Sequence, residues 1–193
     1  MTSGNKERED SVSEFTNSAS RSIDQARAYT AAILDLLGTQ DPIDVLEETP
    51  DAVRGAIAGL QDAQLSRPES PGKWSLRHVV QHLADSELVW GYRLRLVLAQ
   101  DRPTLTGYDQ DLWSERLHYE RAPIDEALDR FAVLRRSNLR LLAEASPADL
   151  QRVGVHAERG EESVAHITRL TAGHDLLHLR QLARIREAVE GNV

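Results

Sequence analysis

Cysteine is absent from this 193-residue chain, which removes disulfides, thiolate metal ligands and a cysteine nucleophile. Lysine is nearly absent: Lys6 and Lys73 are the only two. With a formal net charge of −8 and a pI near 5.4, the chain has no basic cluster of the kind that nucleic acid requires. Aromatic residues are scarce, with two phenylalanines, three tryptophans and four tyrosines, so Leu, Val, Ile and Ala must fill the core. Long helices suit that composition. No apolar run reaches membrane-spanning length, and the N-terminal MTSGNKERED lacks the apolar stretch of a secretion signal. Together these absences point to a cytoplasmic protein with no membrane or nucleic-acid partner. The remainder, 40% hydrophobic and 28% charged, is enough for one domain with a sizeable core.

The apolar periodicity is helical. Residues 1–18 are polar and read as a disordered tail. An N-terminal helix and connector occupy 19–44: Ile23, Ala26, Tyr29, Ile33 and Leu37 share a face, Gly38 closes it, and DPIDVLEE links onward. Thr49-Pro50 reads as the start of the first bundle helix, with Val53, Ile57 and Leu60 on its face. A second helix begins at Ser75, with Trp74 stapling onto Val79, and runs to about Leu98. A long connector, QDRPTLTGYDQDLWSERLHYERAP, follows, with a helical turn or two near Asp111 to Leu117. The third helix starts near Pro123, and the fourth covers about Ser163 to Val189. VGVHAERGEE reads as a loop or small excursion, because strand-type alternation is nowhere persuasive. Residues 45–193 therefore form an all-α, four-helix bundle.

The chemistry lies in the histidines. HVVQH and HDLLH each place two imidazoles one helical turn apart. On a helical wheel His174, His178 and Gln181 sit mid-stripe on the fourth helix, where polar groups need partners. On the second helix His82 borders the core and His78 leans to solvent. His82, His174 and His178 are therefore the candidate ligands of one divalent transition metal ion. Nitrogen donors suit zinc, nickel, iron or copper rather than calcium or magnesium. Three ligands leave a coordination position open, as in catalytic sites. HDLLH also resembles the zincin pattern HExxH, but Asp175 is one methylene short and too little chain follows to supply a third ligand.

Other residues take secondary readings. Glu87 is either a partner of a ligand imidazole or the partner of an arginine, and Asp85 points away from the core. Gln181 contacts a ligand or merely satisfies the core. Tyr108 and Trp113 either line the pocket mouth or pin the connector. His118, His156 and His166 read as ordinary, and Arg135, Arg136 and Arg140 as a solvated face. Leu176 and Leu179 fall on the outer side of the fourth helix, where a second copy of the chain or the N-terminal helix would cover them.

The runs PGKWSLRHVVQHLADSE, RPTLTGYDQDLW and AGHDLLHLRQLARI, in that order, resemble the DinB/YfiT-like superfamily, and most of all its YfiT-like branch of metal-dependent hydrolases. The resemblance covers roughly residues 45 to 187. It implies an up-down-down-up bundle with a long crossover between the second and third helices. It also implies one metal ion, often nickel or zinc, on His82, His174 and His178, the residues the wheel selects. The superfamily includes S-transferases that use low-molecular-weight thiols such as bacillithiol, and mycothiol-dependent isomerases. The expected function is a metal-dependent hydrolase or thiol S-transferase acting on a small molecule. Two alternatives are a metal-binding sensor or stress-response protein without turnover, and a bundle whose histidines only hydrogen-bond.

Overall fold

Where the chain turns helical, its capping residues explain the boundaries. The computed structural model describes residues 23–191. Helix α1 (Ile23–Leu37) ends at Gly38, whose φ of 55° lies in the left-handed region and whose N–H returns to Leu34 O. Helix α2 (Pro42–Ile57) begins at Asp41, whose carboxylate accepts from Ile43 N. Three short helices and two strands serve as connections: α3 (Asp62–Leu65), then β1 (Thr104–Leu105) and α5 (Gln110–Arg116) in the crossover, and later α7 (Pro147–Leu150) and β2 (Val153–His156). Helix α4 (Leu76–Ala99) is capped by Ser75, α6 (Ile124–Glu144) follows Pro123, and strand β3 (Gly160–Ser163) leads into α8 (Val164–Glu190). Ser163, the last residue of β3, also caps α8. The bounds of α4, α6 and α8 agree with those read from periodicity and caps.

Pairings between helices fix the topology. Gln81 and Asp85 meet the start of α6, while Glu87 meets Arg135 further along, so α4 and α6 run parallel. His82 lies beside His174 and His178, and Trp90 clusters with Ile167, so α8 runs antiparallel to α4. Arg54 reaches Asp129 and Arg135 reaches Leu46, making α2 antiparallel to α6. The bundle of α2, α4, α6 and α8 is therefore up-down-down-up. Parallel neighbours need a connection as long as the helices themselves, which is why residues 100–123 cross the bundle. Helix α1 packs antiparallel on α8, where a Cβ at Gly173 would stand 2.2 Å from Ile33 O. Only glycine permits that approach.

Two expectations are corrected. Thr49-Pro50 does not open a helix; α2 starts at Pro42, inside the segment read as a connector, and carries Pro50 in its interior. Proline there leaves Leu46 O without its usual donor, and Arg135 Nη1 donates to that carbonyl at 2.8 Å. Second, the VGVHAERGEE segment holds two strands: β2 pairs antiparallel with β3 and parallel with β1, forming a small sheet. Strands of two to four residues are too short to show alternation. Leu176 and Leu179 are half-buried, packed against apolar clusters of this chain. The polar tail, residues 1–18, lies outside the described residues. Among the described residues, no helix is long and apolar enough to cross a membrane.

The core is divided. One apolar cluster gathers Val53, Leu76, Val79, Phe131, Leu182 and Ile185. Another gathers Leu46, Trp90, Leu94, Leu142 and Ile167. Between them every bundle helix contributes buried polar groups: Thr49, then Glu87, then Arg135 and Asn138, then Asp175, His178 and Gln181. Arg135, read from sequence as solvated, is 1% exposed at the centre of this layer. Its Nη2 donates to Glu87 Oε2 at 2.8 Å and its Nη1 to Asp175 Oδ2 at 2.7 Å. Asn138 donates to the other Glu87 oxygen at 2.8 Å, close against Gly91, where a Cβ would collide with it. Arg135 thus tethers α2, α4 and α8 from α6.

Candidate metal centre

The three candidate histidines meet on one side of this polar layer. Ring centroids stand 5.2 Å apart for His82–His174, 4.7 Å for His82–His178 and 4.4 Å for His174–His178. One nitrogen from each lies within 4.8 Å of the other two. Helix spacing brings His174 and His178 together, and the antiparallel packing of α4 on α8 supplies His82.

An outer contact fixes the tautomer of His178. His178 Nδ1 lies 2.8 Å from Gln181 Oε1, an atom that only accepts, so Nδ1 carries the proton and Nε2 offers a lone pair. His174 Nδ1 faces Asp175 Oδ1 at 3.8 Å, the carboxylate whose other oxygen Arg135 holds. His82 Nε2 and His174 Nε2 approach to 3.1 Å. Two ring nitrogens so close need a shared proton or a shared cation. Ligands of one tetrahedral zinc ion stand about 3.3 Å apart, so the donor set fits a divalent transition ion. His82 Nδ1 is buried without a hydrogen-bond partner.

Burial decides the protonation state. It holds His82 well below the ordinary 6.5, helped by His178 and His174, and pushes His178 down to about 3, helped by His174. Burial raises the Asp175 carboxyl, yet Arg135 and His174 outweigh it and keep its pKa below the usual range. The His82 and His178 rings are thus neutral at neutral pH, as ligands must be. In the unfolded chain they take protons near pH 6.5. The metal-free protein should therefore be fully stable above that pH and lose stability as pH falls through it. Melting temperatures of chelator-treated protein, measured from about pH 7 to pH 4, check this; a flat profile contradicts it.

A cavity of about 240 Å³ opens beside the histidines. Helix α1 contributes Tyr29, Thr30 and Ile33 to its wall, the crossover contributes Gly107 and Tyr108, and the β2–β3 hairpin contributes His156 and Arg159. Tyr108 hydroxyl lies 2.7 Å from Ser86 Oγ, which is 3.3 Å from His82 Nε2. Burial pushes the Tyr108 pKa up to about 12, so it remains a neutral hydroxyl. Trp113 packs on Tyr108 with centroids 4.5 Å apart. The connector aromatics thus do both expected jobs, Tyr108 lining the cavity and Trp113 pinning the connector.

The other expectations resolve individually. Glu87 pairs with Arg135 and not with a ligand imidazole. Gln181 contacts a candidate ligand, His178. Asp85, expected to point away from the core, is buried instead, accepting from the Tyr119 hydroxyl at 2.5 Å and from Arg130 at 3.0 Å. Trp74 packs on the cluster that holds Val79, and its ring stands 5.0 Å from that of His82. His78 stays outside the cluster, with Nδ1 2.8 Å from Ser75 Oγ. His156 is not ordinary: it is 2% exposed and lines the cavity. Ser86 and Asp175 were missed as supporting groups, although Asp175 directly follows a candidate ligand.

Comparison with known proteins agrees with the four-helix-bundle fold. The sequence model of the DinB superfamily matches residues 45–182. A protein of Bacillus mycoides, provisionally named a metal-dependent hydrolase, is 32% identical over 145 residues, 75% of this chain and 83% of that protein. A relative from Bacillus cereus with the same provisional name is 30% identical over 153 residues, 77% of this chain and 88% of its own length. Among solved structures, YfiT from Bacillus subtilis, described as a probable metal-dependent hydrolase with an unusual four-helix bundle topology, superposes with a TM-score of 0.68. It is 28% identical, and the match covers 74% of this chain and 84% of YfiT.

Proposed function

This chain belongs to the DinB superfamily, and we propose that it is a metal-dependent enzyme whose ion, zinc or nickel, is held by His82, His174 and His178. The observation that carries this reading is the convergence of one nitrogen from each of the three rings within 4.8 Å of the other two, beside a cavity. Gln181 occupies the outer nitrogen of His178, and the Nε2 atoms of His82 and His174 stand 3.1 Å apart. When bound, such an ion supplies Lewis acidity, drawing the pKa of a coordinated water or thiol toward neutrality. The chain's own residues do the rest. Asp175, itself anchored by Arg135, and Gln181 hold two rings in place. Ser86 and Tyr108 form a hydroxyl relay beside His82 that donates to or accepts from a polar group entering the cavity. Trp90, Ile167 and Leu170 keep part of the wall apolar.

Hydrolysis is the reading the relatives' names support. One observation favours a thiol as the nucleophile instead. The carboxylate beside the cluster, Asp175, is committed to Arg135 and faces an outer nitrogen, so it is badly placed to take a proton from attacking water. A thiol is acidic enough to need no such base, and with no cysteine in the chain a small substrate must bring it. Zinc- or nickel-loaded protein, purified without a histidine tag, is incubated with activated esters and with epoxides, each with and without small thiols. Metal-dependent turnover that Tyr108→Phe slows by about tenfold or more is expected. Stoichiometric metal with no turnover across the panel would instead make the protein a metal-binding sensor.

A further inference from the structure

Away from the three candidate ligands, the cavity wall carries N–H donors with no partner among the described residues. They are His156 Nε2, Trp90 Nε1 and Arg93 Nε, all buried. An unpaired buried donor is costly unless something else accepts from it. The His156 tautomer is set, because its Nδ1 accepts from Glu158 N–H at 3.2 Å and the ring proton must then sit on Nε2. Burial, reinforced by Arg159 and Arg93, keeps that ring neutral, with a pKa near 4. A Cβ at Gly107 would stand 4.0 Å from Nε2, so glycine leaves this ring edge uncrowded.

The charges on this wall are uneven. Arg159 is already neutralised by Glu162 through contacts of 2.6 and 3.0 Å. Arg93 donates through Nη2 to Thr106 O, a carbonyl, and among the described residues forms no ion pair. Glu158 and Glu162 line the same cavity and their charges act on Arg93, so the wall offers a cation with no salt bridge of its own among the described residues, beside fixed neutral donors. His82, Ser86, Trp90 and Arg93 follow one face of α4, with Arg93 about 16 Å along the helix from His82.

We propose that this wall is a carboxylate subsite: the substrate carries a carboxylate that accepts from Arg93 and His156 while its reacting group lies at the three histidines. A carboxylate brings one negative charge to Arg93 and the neutral donors, whereas a phosphate dianion would bring twice that charge toward Glu158 and Glu162, which line the same cavity. The assignment rests on the metal-centre reading for the position of the reacting group, but the subsite itself does not.

Calorimetric titration of the full-length, zinc-loaded protein with mercaptohexanoate and with mercaptohexanol tests it. The carboxylate is expected to bind about tenfold tighter or better, the effect of a charge-assisted hydrogen bond. That preference should fall to about one in Arg93→Met and in His156→Leu, and return in His156→Gln, which keeps a donor. Arg93 is only half-buried, so Arg93→Met keeps the test valid if His156→Leu fails to fold. Equal binding of the two probes by the parent protein, or a preference that survives in Arg93→Met, overturns the proposal. Hexanoate titrated into chelator-treated protein separates the two readings. Arg93-dependent binding of hexanoate in a chain that takes up no metal keeps the subsite and sinks the metal centre. Metal uptake with hexanoate binding indifferent to Arg93 does the reverse.

Discussion

Arg135→Met is expected to cost about 3–5 kcal/mol of stability, because it leaves Glu87 and Asp175 buried without a counter-charge. The side chain fits its surroundings at many points. It donates to Glu87, Asp175 and Leu46 O, and its guanidinium lies 4.7 Å from the Phe131 ring centroid. Burial already pushes the Glu87 pKa up, and Arg135 restrains that rise, so removing the cation drives the carboxyl further toward protonation. Lysine should rescue little, since a point charge cannot replace a planar fork that serves three acceptors. Asp175 links this layer to His174, so a folded fraction of Arg135→Met should also bind metal about 10–100-fold more weakly. Urea denaturation and metal titration measure the two effects. A stability loss below about 1 kcal/mol would mean that the buried ions contribute little more than an exposed pair.

His178→Ala should weaken metal binding by more than about 100-fold, beyond the effect of losing an outer contact. Gln181→Ala is the calibrating variant. It removes only the group that holds His178 Nδ1 and should cost about 10–100-fold. The ranking, with the ligand variant well below the outer-contact variant, distinguishes coordination from a general loosening of the polar layer. Competition titration against a chromophoric chelator reads both. Equal losses in the two variants would point to loosening.

The histidines were legible because their spacing is a property of one helix. Two imidazoles and a glutamine in the apolar stripe of α8 had to find partners: Gln181 meets His178 within the helix, and α4 brings His82. Long, capped helices were legible for the same reason: Ser75 and Ser163 announce α4 and α8 locally. What escaped was decided by distant partners. Pro50 reads as a helix start unless it is known that Arg135 will satisfy Leu46 O from another helix. Arg135 reads as solvated because three arginines within six positions suggest a wet face, while its two carboxylates lie 40 and 48 residues away. His156 looked ordinary because its strands are too short to declare themselves and its cavity is assembled from α1, the crossover and α8. The same holds for Arg93, whose lack of a carboxylate is visible only in three dimensions.

Anomalous diffraction from crystals of the tag-free protein grown with zinc tests the central claim most directly. The expected result is one strong peak per chain, about 2.1 Å from the Nε2 atoms of His82, His174 and His178, with the open side turned to the cavity. A peak elsewhere, or none at the three rings while zinc is present in solution, would contradict it.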